Sequence, residues 1–179
     1  GFERFFSGYQ FTEVLSNTLL LSIFLLICSF PIPIIFALIV NQYKEGKFRR
    51  LLQTVSYAPH FISTVVMVGM VVLFLSPSSG LYGTIVRLFG GDPKNIMGDA
   101  GMFRPIYILS DIWQHTGWDS IIYLAALSAI NQDLYDAANV DGAGRLKKIW
   151  YIELPALKET ATILLILRLG NIMSMGFEK

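Results

Sequence analysis

Asp111, Gln114, His115, Trp118 and Asp119 recur at i, i+3, i+4, i+7 and i+8, the spacing of one helical face. They sit in an otherwise apolar run, where ionisable side chains mark functional sites by default. Two carboxylates, an amide, an imidazole and an indole on one face suit a carbohydrate, because hydroxyls need hydrogen bonds and sugar rings stack on aromatics. The stripe is expected opposite Ile112, Ile121 and Leu124. Three uses of it stay open: the wall of a cavity, glue between helices, or a wetted segment if the apolar span begins nearer residue 117. Chemically, Asp111, His115 and Asp119 could serve a membrane enzyme as acid–base groups, or an ion-coupled secondary transporter as ion or proton sites.

Arg168 is a second ionisable residue in an apolar run. It lies roughly 20 Å along its span at 1.5 Å per residue, past the midplane, where it can snorkel outward or pair with an acid. Asp111 and Asp119 are the candidate partners, and Asn171 shares its face. A pathway role and a structural ion pair are both open. His60 and His115 are the only histidines, on different spans and without a nearby cysteine, which makes a weak metal site. Nothing local resembles a nucleophile elbow, so no catalytic and no metal residue is expected. Cys28 is the only cysteine and excludes an internal disulfide.

The elements that must position these groups follow from composition. Hydrophobic residues make up 54% of the chain and charged ones 15%, and the mean hydropathy is +0.55. Ordinary soluble chains carry about 25% charged residues, so the expected class is an all-α polytopic membrane protein. A net charge of +1 argues against nucleic acid as a partner and leaves membrane lipid as the surroundings.

A membrane span needs roughly 20 mainly apolar residues. Four transmembrane helices are expected, over about 14–40, 51–75, 105–130 and 154–175. Pro31 and Pro33 predict a kink or local break in the first, and Pro59 and His60 lie near the start of the second. Lys44, Lys47, Arg49 and Arg50 crowd the loop 41–50, and Arg145, Lys147 and Lys148 the loop 131–153. The positive-inside rule sends both loops to the cytoplasm. Residues 1–13, the turn-rich loop 76–104 and the end of the chain then lie outside. The chain begins without Met or a signal-peptide layout and reads as an internal fragment, an incomplete single transmembrane domain over 1–179.

The cytoplasmic loop 131–155 carries the densest pattern. Residues 133–140 read as a short helix, capped by Asn131 or Asp133 and rich in small Ala137 and Ala138. Asp141-Gly142 breaks it, since glycine takes the left-handed conformation that ends helices. Pro155 suits the first turn of the next helix. A helix outside the bilayer with small residues on one face is built for close approach by a partner. The plainer reading is an elbow resting on lipid headgroups.

Asp136-Ala137-Ala138, then Gly142 after three residues, then Ile152 after nine more and Leu154-Pro155, resembles the EAA signature of permease subunits of binding-protein-dependent ABC importers. Asp136 replaces the family's Glu, keeping the charge on a shorter arm. Asp141-Gly142-Ala143 is similar to the DGA of sugar-type permeases, Asn17-Thr18 to their Asn-Thr pair, and the ending from Leu169 to Glu178 to the oligosaccharide/lipoprotein branch. The resemblance implies a bacterial cytoplasmic (inner) membrane protein, multi-pass, with one further span at each end. It implies that 133–140 is a coupling helix, with Asp136, Ala137, Ala138, Asp141, Gly142, Ile152, Leu154 and Pro155 as the ATPase-coupling residues. The partners implied are cytoplasmic ATP-binding subunits, a second permease subunit forming a heterodimer, an extracytoplasmic solute-binding protein and a carbohydrate substrate. Asp111, Gln114, His115, Trp118, Asp119, Arg168 and Asn171 then form the expected substrate pathway. No G-x-x-x-x-G-K-[ST] run is present, so the chain is expected not to be an enzyme and to need no cofactor, with ATP bound by the partner subunits.

Overall fold

A computed structural model describes residues 9–170, and among these every regular element is a helix. Helix α1, Tyr9–Ser29, runs into α2, Pro31–Asn41, with Phe30 as the only residue between them. Prolines at 31 and 33 cannot donate to the carbonyls one turn back and their rings crowd those carbonyls. The hydrogen-bond ladder is therefore interrupted at Phe30, within the predicted region, although Phe30 itself keeps right-handed helical dihedrals and Pro31 starts α2 at its first position. Ser16–Asn41 taken together is the one stretch among the described residues that is both long and apolar enough to cross a membrane without a sharp bend.

The second expected span is not one rod. Helix α3, Lys47–Tyr57, continues into a 3-10 turn, Ala58–Phe61, and then α4, Thr64–Leu75, leaves at 102° to it. The cause is local. Pro59 opens the 3-10 turn, Ile62 is extended, and the Ser63 hydroxyl accepts the Val66 N–H to start a new helix. The loop expected over 76–104 holds helix α5, Leu81–Leu88, and a short turn, Ile96–Gly98. Its fold-back is clamped by the Arg87 guanidinium, which donates to the carbonyls of Pro77 at 2.7 Å and Ser78 at 3.2 Å.

Helix α6, Ala100–Ser128, is the axis of the molecule. Its 29 residues reach about 43 Å, and its N-cap is Asp99, which accepts the Gly101 N–H at 2.8 Å. Helix α7, Gln132–Val140, follows after a three-residue connection. A short helix α8, Arg145–Lys148, then passes through a π-helical turn, Ile149–Glu153, into α9, Leu154–Gly170. Pro155 does lie in the first turn of α9, yet the chain is helical on both sides of it. The wider π turn ahead of Pro155 accommodates a residue with no N–H to give. The end of the fourth expected span, with Asn171, lies outside the described residues.

The core lies where α2, α6 and α9 meet. Ala37, Leu38 and Val40 from α2, Tyr123, Leu124 and Leu127 from α6, and Leu157 from α9 are buried together. Small residues allow the helices this close: Ser22, Ser29 and Ser120 are all buried. Gly117 goes further. A Cβ there would fall 2.0 Å from the Ser56 carbonyl oxygen, so α6 and α3 cross backbone against backbone. Around this core much of the apolar surface is open, including Ile27, Leu73, Leu109 and Ile166.

Candidate functional site: a coupling loop and a polar helix face

The loop forms as its residue types dictate. Asn131, of the two candidate caps, does the capping: its Oδ1 accepts the Asp133 N–H at 3.0 Å. Gln132 Nε2 reaches the Asp136 carboxylate one turn on. Gly142 has φ +68°, in the left-handed region, and its N–H and that of Ala143 return to the carbonyls of Asn139 and Ala138. The helix stands clear of the rest of the chain. Asp136, Ala137, Asp141 and Gly142 are exposed, Ala138 is half-buried, and Leu134 and Val140 expose apolar side chains, Val140 to 88%. Ile152 and Leu154 are half-buried at the far end of the signature, with Leu154 packed against the core, while Pro155 is exposed.

Between Ile152 and Leu154 sits a residue the sequence reading passed over. Glu153 is only 2% exposed, and a buried carboxylate is costly without donors. It has three. Its Oε1 accepts from Asn41 Nδ2 at 3.0 Å, from Gln42 Nε2 at 3.1 Å and from the Tyr135 hydroxyl at 3.3 Å, and Oε2 accepts from Gln42 Nε2 at 3.1 Å. Asn41 and Gln42 are the last residue and C-cap of α2, and Tyr135 lies on α7. Burial, and next the Glu153 carboxylate beside it, push the Tyr135 hydroxyl up to about 12, so it stays a donor at any physiological pH. A second tie runs from Lys148 Nζ to Asn139 Oδ1. The only sequence signal for the Glu153 cluster is an acid inside an apolar turn.

The polar face of α6 is assembled against the bend of the second span. Gln114 is buried, and its Nε2 donates to the Ile62 carbonyl at 2.9 Å, where extended backbone frees that oxygen. Trp118 stacks on the His60 ring, centroids 4.5 Å apart and planes within 1°, with Phe61 edge-on to the same indole. The His115 ring stands edge-on to His60 at 5.6 Å. His115 Nδ1 lies 3.3 Å from Asp111 Oδ1, and Ser29 Oγ donates to Asp111 Oδ2 at 3.3 Å, tying the stripe to α1. Arg168 pairs with Asp119 and not with Asp111, and its guanidinium also lies 5.9 Å above the Phe30 ring.

The stripe therefore comes together as one surface, with His60 and Phe61 added from another element. It is not backed by a single apolar face. Leu124 is in the core, Ile112 and Ile121 are half-buried, and the outward residues are Leu109, Trp113 and Ile122. Part of the stripe is glue, since Gln114, Asp111 and Asp119 each bridge to a neighbouring element. Part remains available, since Trp118 is 40% exposed, while the Gln114 Oε1 and His60 Nδ1 atoms are buried with no hydrogen-bond partner among the described residues.

Comparison with known proteins bears on both regions. The family model described as "Binding-protein-dependent transport system inner membrane component" matches residues 29–175. The chain is 42% identical over 177 residues to the polygalacturonan/rhamnogalacturonan transport system permease protein YteP of Bacillus subtilis (strain 168), covering 99% of this chain and 55% of that protein. It is 38% identical over 178 residues to Protein LplB of the same organism, covering 99% and 56%. Among solved structures it is similar, at TM-score 0.95 and 45% identity, to a chain of a bacterial ABC transporter involved in the import of the acidic polysaccharide alginate. That match covers 99% of this chain and 62% of the other. The chain thus spans about half the length of the curated relatives it matches. From an exposed helix of EAA spacing, an apolar helical body and these matches, it follows that the chain belongs to the family of binding-protein-dependent transport system inner membrane components.

Proposed function

We propose that this chain is part of the membrane-spanning permease subunit of an ABC importer and conducts an oligosaccharide across the cytoplasmic membrane. ATP is hydrolysed by partner subunits, not by this chain. The observation that carries the reading is α7: a capped helix on an EAA-type loop, ended by a left-handed Gly142, with nearly all its side chains exposed. An exposed helix with small Ala137 and Ala138 on it fits a groove on a soluble ATPase subunit, and its charged neighbours Arg145, Lys147 and Lys148 belong on the cytoplasmic side. Four spans, about 14–40, 51–75, 105–130 and 154–175, cross the bilayer, the second bent at Ile62. They do not enclose a pathway alone, so a second permease subunit supplies the other half.

The Asp111–Asp119 face, with His60 and Arg168, lines the pathway. The relatives support a glycan substrate: one is named for polygalacturonan and rhamnogalacturonan, and the solved transporter imports alginate. A structure of that transporter was solved with a periplasmic protein holding an alginate pentasaccharide, which supports an external solute-binding protein as a partner here. Nothing in these matches favours an ion-coupled carrier.

Three experiments test the reading. Co-purification with a soluble ATPase should be lost when residues 133–142 are deleted from a chain that still inserts in the membrane. Retained co-purification would remove the coupling role. A thermal-shift screen of the cognate binding protein against glycans, acidic oligosaccharides first, should yield the substrate. Uptake that collapses with the proton gradient while ATP remains would establish the carrier instead.

A further inference from the structure

We infer that the Glu153 carboxylate is the mechanical joint through which movement of α7 reaches both α2 and α9. The inference rests on the proposed coupling role of α7. Few side chains tie α7 to the body of the chain. Among the described residues, its side-chain hydrogen bonds to other helical elements are those of Tyr135, to Glu153 and beside it to Asn41, and that of Lys148 to Asn139. The second ends on α8, still inside the loop. The first ends on a carboxylate that also holds the C-terminal end of α2 through Asn41 and Gln42 and is itself part of the backbone entering α9.

One buried charge thus gathers three elements at a point. Its alternatives are poor, because rotating away from these donors leaves an ionised group in an apolar surround. The joint is therefore stiff in a way that packing of Ala137 or Val140 is not. The π turn adds to this reading. It projects Glu153 inward between Ile152 and Leu154 of the signature, and such turns occur mostly at functional sites. Glu153 is a positioning residue: its carboxylate is buried and taken up by Asn41, Gln42 and Tyr135, and it acts by holding α7 in register with α2 and α9.

The test uses the whole transporter, with its ATPase subunits, in lipid nanodiscs and MgATP plus vanadate as the probe. Spin labels go on cysteines at Val140 on α7 and Ile39 on α2, in a Cys28→Ser background. With the joint intact, the two labels move as one body, and their distance stays at one value when nucleotide is added. Tyr135→Phe removes only the hydroxyl from α7, and Glu153→Gln keeps the shape while removing the charge. In both, the complex should keep its thermal midpoint while the Val140–Ile39 distance shifts on adding nucleotide. The double variant should shift no further than Glu153→Gln alone, since loss of the charge already weakens the one carboxylate that Tyr135 holds.

An unmoved distance in both single variants would overturn the inference, as would a wild-type distance that already shifts. Loss of assembly in both variants would overturn it too, by making the cluster a folding element. If the wild-type chain fails to bind ATPase subunits at all, the proposed function falls, and that outcome is visible before any label is read.

Discussion

Gly117 gives the sharpest prediction about how the polar face is held. Its missing side chain leaves room for α3. A Cβ at 117 would lie 2.0 Å from the Ser56 carbonyl oxygen, 2.3 Å from its carbon and 2.9 Å from its Cβ. Ordinary contact starts at 3.4 Å, so alanine forces the helices apart by about 1.4 Å, the difference of 3.4 and 2.0. The obstacle is backbone and cannot rotate away. Overpacking of this kind costs about 1–3 kcal/mol, and a rigid obstacle puts this site at the upper end. Alanine regains about 1 kcal/mol of helix propensity over glycine, which leaves a net loss of about 2 kcal/mol. For a chain of this size that is roughly 4–8 °C in thermal midpoint. The control is Gly69→Ala in α4, where nothing lies within 4 Å of the new Cβ and only the propensity gain of about 1 kcal/mol applies. The assay is thermal unfolding of the detergent-purified transporter carrying each variant. Moving α3 also drags His60 and the Ile62 carbonyl from Trp118 and Gln114, so Gly117→Ala should lose uptake as well as stability. Removing the Ser56 hydroxymethyl group, as Ser56→Gly, should not restore it, because the carbonyl remains. Equal midpoints for Gly117→Ala and Gly69→Ala would refute the close crossing of α3 and α6.

The Asp119–Arg168 pair has side chains about a quarter exposed, so Arg168→Glu, which sets two acids face to face, should destabilise the assembled chain by about 1–3 kcal/mol. The swap of Asp119→Arg with Arg168→Asp should recover most of that in the same unfolding measurement, and no recovery would mean the two residues are not partners. Gly142 has open space around it and φ +68°, so the cost of a side chain there is backbone strain of about 1–2 kcal/mol. Gly142→Asn should therefore retain ATPase stimulation better than Gly142→Val, and equal loss in both would point to contact with the ATPase surface instead. Tyr135, pushed up to about 12, should contribute nothing to the tyrosinate absorbance that appears near pH 10. Its raised folded value means a stabilising contribution that is complete below the unfolded pKa near 10 and lost as pH climbs to about 12. The difference spectrum between the native chain and Tyr135→Phe should stay flat until that upper range, and a step near pH 10 would show the hydroxyl to be free.

Local chemistry carried much of what could be read in advance. Apolar runs of sufficient length with few charges become helices whatever surrounds them, because every backbone group is then satisfied within its own segment. Paired prolines break a helix from within, so the interruption at Phe30 was legible. The same holds for α7, where Asn131 caps one end and Gly142 turns the other. Its spacing to Ile152 and Leu154-Pro155 carried the family, since such a motif is a pattern along the chain and not across it. Periodicity also placed Asp111, Gln114, His115, Trp118 and Asp119 on one face, because 3.6 residues per turn is a property of the helix alone.

Which partners those side chains find was decided only in three dimensions. Nothing in the order of residues distinguishes Asp111 from Asp119 as the mate of Arg168, since the choice depends on how α9 is rotated against α6. The 102° turn at Ile62 brings His60 onto Trp118 and frees a carbonyl for Gln114. One proline and one serine cap mark that turn only weakly in the sequence. Glu153 is the clearest case. Along the chain it is one acid among apolar neighbours, 112 positions from Asn41 and 18 from Tyr135. A buried charge is tolerable only where donors converge on it, and that convergence belongs to the packing of α2, α7 and α9. The motif Asp136–Pro155 was legible because it is local, while the contacts that tie it to α2 and α9 through Glu153 are a meeting of distant residues.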